Sequence, residues 1–161
     1  MSYKVVFEFD PFEMANVDEP SSRADRSEAL REIADYVKTE MLQYYGEGRS
    51  PASGGKWKQK LSPAYEKIKE DISGVDFSNM ELYGDMLDAM EVKIVGGKIK
   101  VGWFTGQEAA KAYGHQTGFE GHPTIKNGPV RQLVPEEGGK FKSDIVKGMK
   151  EIAQAFLDEE S

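Results

Sequence analysis

Polar and apolar positions alternate most clearly between Glu91 and Trp103. Val92 and Ile94 interleave with Glu91 and Lys93, and Ile99, Val101 and Trp103 interleave with Lys98 and Lys100. Period two on both sides of Gly96-Gly97 predicts a β-hairpin with one apolar face and one wet face. Paired glycines supply the positive φ angles that a two-residue primed turn requires. The same alternation of Val5, Phe7 and Phe9 with Lys4, Val6 and Glu8 predicts a strand over residues 3–9. Asp10-Pro11 ends it, because proline cannot donate to a ladder and restricts the residue before it. Residues 11–24, with Pro, Asn, Asp and a Ser-Ser pair, read as a loop.

A longer period takes over elsewhere. Leu30, Ile33, Ala34, Val37, Met41 and Tyr44 recur at helical spacing and predict an amphipathic helix from about Asp25 to Tyr45. Asp25 with Glu28 forms a possible capping box, and Gly46 a left-handed stop. Ser62-Pro63 opens a second helix with Tyr65, Ile68 and Ile72 on one face. A short third helix over about 81–90 groups Leu82, Met86, Leu87 and Met90, with Gly84 as its weak point. Residues 107–113 predict an alanine-rich helix, broken by Gly114-His115-Gln116-Thr117-Gly118, and residues 118–131 read as dense turns. The last helix, from about Ser143 to Glu159, carries Ile145, Val146, Met149, Ile152, Ala153, Phe156 and Leu157 as a continuous stripe. Residues 46–56 (GEGRSPASGGK) keep no apolar period and predict a flexible loop. The sum is one α+β domain over 1–161, opened by a strand and loop over 1–24. Its mostly antiparallel sheet packs against two long amphipathic helices and shorter ones.

Composition narrows the chemistry. At 161 residues, 39% apolar and 30% charged, the chain reads as an ordinary globular domain. No stretch reads as a secretory signal or a bilayer span. There are no cysteines, so disulfides and thiolate metal sites are excluded. A formal charge of −7 makes broad phosphate gripping unfavourable. The two histidines, His115 and His122, flank Glu120, a set short of the usual zinc ligands. Gly54-Gly55-Lys56 is not a phosphate loop, because the required earlier glycine is Ser50. No nucleophile elbow or dinucleotide fingerprint occurs. The residues therefore point to no catalytic group, cofactor or metal. A small enzyme or metal-binding protein centred on His115 stands as the alternative.

The order of short motifs is more informative. Trp57 precedes Ser62-Pro63-Ala64-Tyr65-Glu66-Lys67, and a Leu-x-Gly-x-Met-Leu step follows at Leu82, Gly84, Met86 and Leu87. The hairpin ends in Val101-Gly102, and then come Tyr113, His115, Gln116 and Gly118, and Pro129 with Arg131 before the last helix. This order resembles the tail-completion and neck proteins of tailed bacteriophages, of the Mu-type virion morphogenesis and HK97-type tail-component families. It departs from them at Tyr83, where Thr or Ser is usual, and at Gly114, where alanine is usual. The resemblance implies a structural virion protein at the head–tail connection, assembled in the host bacterial cytoplasm. It implies a homo-oligomeric ring, with six copies favoured and twelve possible. Other neck and tail proteins would be its partners, with no membrane involved and phage DNA passing through without specific binding. It assigns Trp57, Gly84, Tyr113, His115, Gln116, Gly118 and Arg131 to turns and interfaces rather than to chemistry. Read physically, the two glycines permit close backbone approach, His115 and Gln116 can tie a turn to nearby carbonyls, and Arg131 can clamp a carboxylate.

Overall fold

The computed structural model describes residues 3–56, 84–117 and 131–160. Trp57, the helix expected after Ser62, Leu82, Tyr83, Gly118, His122 and most of the 118–131 turn region lie outside them. The described chain is α+β. In order it forms β1 (Val5–Phe9), α1 (Pro11–Ala15), α2 (Arg23–Gly46), α3 (Gly84–Asp88), β2 (Glu91–Val95), β3 (Lys98–Trp103), α4 (Gly106–Thr117) and α5 (Ser143–Glu160). Among the described residues, no helix is long and apolar enough to cross a membrane.

The sheet is antiparallel in the order β1-β3-β2. Gly96 and Gly97 take φ of +60° and +78°, and the turn sets Val92 against Val101 and Ile94 against Ile99. The first strand arrives from far along the chain and pairs Val5 with Trp103 and Phe7 with Val101. Val5, Phe7, Phe9, Ile99, Val101 and Trp103 are all buried on one face, as their alternation dictates. The β2 half of the hairpin differs from expectation. Val92 is only partly buried and Ile94 is exposed, because β2 is the edge strand of the described sheet.

Helix α2 lies against the sheet, and α5 packs across α2 and α1. Its predicted apolar face is buried in full, and Ala29 and Tyr45 join it. Its ends differ from expectation by a few residues. Ser22, not Asp25, caps the start by accepting from the Asp25 N–H at 3.0 Å, and Gly46 remains helical while Gly48 takes the positive φ. The expected loop after β1 begins instead as α1. Asp10 Oδ1 accepts from Phe12 N–H and Glu13 N–H while Pro11 sits where no donor is needed, so the strand terminator is also a helix starter. Phe7, Phe9 and Phe141 then meet in a cluster with centroid separations of 5.2–5.4 Å.

Contact between α2 and α5 depends on Gly148, where a Cβ would overlap the phenol of Tyr36. Tyr36 donates to the Asp144 carbonyl at 3.3 Å, and Tyr44 donates to the Asp144 carboxylate at 2.7–2.8 Å. Burial first, then the Asp144 hydrogen bond and charge, push the Tyr44 hydroxyl up to about 12. Burial, then the carboxylates of Glu40, Asp144 and Glu151, do the same to Tyr36. A hydroxyl whose pKa is raised by folding contributes stability that is complete below its unfolded value near 10 and is lost as the pH climbs from 10 to 12. Tyr44→Phe should therefore cost ~1–2 kcal/mol at neutral pH, the scale of a hydrogen bond to a charged acceptor. It should also flatten the alkaline limb of the stability curve, as read by denaturant melts between pH 8 and 12. An unchanged alkaline limb would show that Tyr44 does not titrate with unfolding.

Candidate functional site

Three of the motif residues that the structure describes, His115, Gln116 and Arg131, meet at the segment 131–134. The helical period of Ala109 and Ala112 buries that face of α4 against the sheet and carries Gly114, His115 and Gln116 inward behind it. Helix α4 therefore continues through Thr117, where the glycine-rich motif suggested a break. The reason is tertiary, since the side chains of this last turn are fixed by the chain that returns at Arg131.

His115 is 1% exposed and Arg131 3%. The Arg131 N–H donates to the His115 carbonyl at 2.7 Å, and Arg131 Nη1 lies 2.9 Å from His115 Nδ1. A guanidinium can only donate, so Nδ1 is the acceptor in this contact. Both side chains make further interactions in the fold. Gln116 works like a backbone rung. Its Oε1 accepts from Leu133 N–H at 2.7 Å and from Val134 N–H at 3.3 Å, while Nε2 donates to the Val134 carbonyl at 3.3 Å. The buried Tyr45 hydroxyl of α2 completes the anchorage by donating to the Leu133 carbonyl at 2.6 Å, and burial holds that phenol well above its ordinary pKa. Nothing along the chain singles out Tyr45, because an aromatic at the end of an amphipathic helix carries no mark of the carbonyl it will meet.

Two other motif residues sit apart. Tyr113 is exposed at the margin of the buried face of α4 and packs on Tyr3 with ring centroids 4.8 Å apart. Gly84 begins α3, whose Met86 carbonyl accepts from Trp103 Nε1–H at 2.6 Å. The 46–56 segment follows a defined path. Arg49 and Lys56 form a bridge, Ser50 is buried, Arg49 Nε donates to the Gly54 carbonyl at 2.9 Å, and Lys142 N–H donates to the Pro51 carbonyl at 2.8 Å.

This arrangement is a hydrogen-bonded staple, in which these bonds of His115, Gln116 and Arg131 are directed at one another and at backbone. Among the described residues, no group of three or more His, Asp or Glu side chains is placed to hold a metal ion. Comparison with protein-family models, curated proteins and solved structures finds no match to this chain.

Proposed function

We propose that the chain is a structural protein of a tailed-bacteriophage virion, a tail-completion or neck protein. It would form a ring of six or twelve copies joining tail to head, with DNA passing through. The order of motifs from Trp57 to Arg131 motivates the reading. The observation that supports it most directly is the staple, in which the polar motif residues that could have carried chemistry perform architecture instead. The His115-centred enzyme or metal site is less well supported, because His115 is buried and its Nδ1 faces a cation.

Deleting the gene from its replicon should leave DNA-filled heads and separate tails, and adding the purified protein should join them. Normal particles after deletion would overturn the proposal. A specific turnover abolished by His115→Ala and His122→Ala, with particle assembly intact, would favour the enzyme. In a reconstruction of the assembled neck the channel wall should be acidic, since like charge keeps a duplex from binding. The exposed Glu136, Glu137 and Glu159 are available for that wall, whereas Asp158 accepts from Gln154 Nε2 at 3.0 Å and Glu160 is engaged by Ser21 and Ser22 at the start of α2. A wall of lysine, arginine or apolar side chains would overturn this part of the reading.

A further inference from the structure

The outer edge of β2 combines exposed apolar side chains, a regular strand and an alternating charge pattern. Ile94 is 42% exposed and Val95 53%. No described strand lies beyond β2 in the sheet. The two-residue turn makes Val95 and Lys98 the closing pair, so the N–H and C=O of Glu91, Lys93 and Val95 point toward β3. Those of Val92 and Ile94 therefore point toward the outer edge. Among the described residues no strand takes them up, and they offer donors and acceptors for another antiparallel strand.

Charge selects the occupant. Glu91 and Lys93 lie on the wet face, 3.7 Å apart and both about half exposed. An antiparallel copy of β2 centred on Glu91 would oppose two glutamates, and one centred on Lys93 would oppose two lysines. Centring on Ile94 sets Lys93 against Val95 and leaves Glu91 without a charged partner. Only a two-fold axis at Val92 sets each Glu91 against the other copy's Lys93, while Val92 meets its counterpart and Ile94 reaches the other copy's Met90. The alternation thus repels the neighbouring registers and favours one.

We propose that two copies of the free protein pair through their β2 edges, antiparallel about Val92, joining two three-stranded sheets into one of six strands. The pairing is independent of the neck reading, and a ring would use other surfaces. One strand per copy is a small interface, well under ~1,200 Å², so a dissociation constant of roughly 10–100 μM is expected.

Sedimentation equilibrium of the full chain over a range of concentrations should show this dimer. Glu91→Lys and Lys93→Glu should each weaken it about tenfold or more, since each reverses two cross-strand pairs. Both variants should keep the wild-type circular dichroism, and only a small drop in melting temperature is expected, from the lost Glu91–Lys93 pair and, in Lys93→Glu, the lost contact of Nζ with the Phe104 ring at 4.1 Å. An equimolar mixture of the two should regain wild-type affinity, because every cross-strand pair in the mixed dimer again joins a lysine to a glutamate. The chain has no cysteine, so single-cysteine variants give a register ruler. Val92→Cys should cross-link to itself faster than Lys93→Cys or Ile94→Cys. A strict monomer at all concentrations, mixed variants that fail to associate, or fastest cross-linking at position 93 or 94 would each overturn the proposal. None of these outcomes bears on whether heads and tails join.

Discussion

Gly102→Ala should be the most damaging single-methyl change in the described chain. Gly102 sits in the central strand between Val6 of β1 and Glu91 of β2, with φ of +141°, a region that residues with a Cβ rarely adopt. A Cβ there would overlap the Val5 carbonyl, which is backbone held in the ladder and cannot swing aside as a side-chain tip can. Relief requires β1 to part from β3, and the neighbouring Trp103 and Val101 are fully buried. Strain and lost packing together should cost ~3–5 kcal/mol, a large share of the ~5–15 kcal/mol that holds a domain of this size. The melting temperature should fall by about 10 °C, at roughly 2–4 °C per kcal/mol. Ile94→Ala is the control. It removes more carbon from the same sheet but from an exposed edge position, and should cost under ~1 kcal/mol. Equal melting temperatures for Gly102→Ala and wild type would show that the close approach of β1 and β3 is not a constraint.

Gln116→Met should release the returning segment without unfolding the sheet. Methionine keeps the length and apolar stem of glutamine and removes both polar atoms. Leu133 and Val134 then lose the acceptor for their N–H groups, and the Val134 carbonyl loses a donor. Both residues are buried, so water does not readily replace what is lost. At ~1–3 kcal/mol for each buried group left unsatisfied, the three groups together cost at least about 3 kcal/mol. The Tyr45 hydrogen bond to Leu133 and the Arg131 bonds to His115 limit the damage to this segment. Amide exchange resolves the effect. Leu133 and Val134 should exchange at least tenfold faster, while Val101 and Phe7 stay protected in the sheet. Unchanged exchange at 133 and 134 would mean that Gln116 does not hold the segment.

Local chemistry that acts within one element was the part most readable in the sequence. The hairpin follows from alternation plus two glycines, and α2 and α5 from apolar residues at helical spacing. Element ends were less readable, because they depend on competition between neighbours. Asp10-Pro11 terminates a strand and also starts a helix, and the alternation that predicted β1 carries no signal that favours α1 after it. The Gly114–Gly118 motif shows the opposite failure. Glycine disfavours a helix by roughly 1 kcal/mol relative to alanine, which a local reading takes as a break. Hydrogen bonds that His115 and Gln116 accept from the backbone N–H groups of Arg131 and Leu133 outweigh that cost.

Legible along the chain were the α+β class, the hairpin and its turn, the buried faces of β1, β3 and α2, and the absence of thiol chemistry; of the predicted α5 stripe, Ile145, Met149 and Ala153 are buried while Val146, Ile152, Phe156 and Leu157 stay partly exposed. The legible features depend on side-chain period and residue type, which are written along the chain. Tertiary structure decided which edge of the hairpin stays exposed, why Gly102 and Gly148 must lack a Cβ, and how His115, Gln116 and Tyr45 seize the backbone near Arg131. Each of those contacts joins residues distant in sequence, and a hydrogen bond or close approach between them leaves no period to read. It exists only when packing of the apolar faces has brought the two stretches together and excluded water from between them.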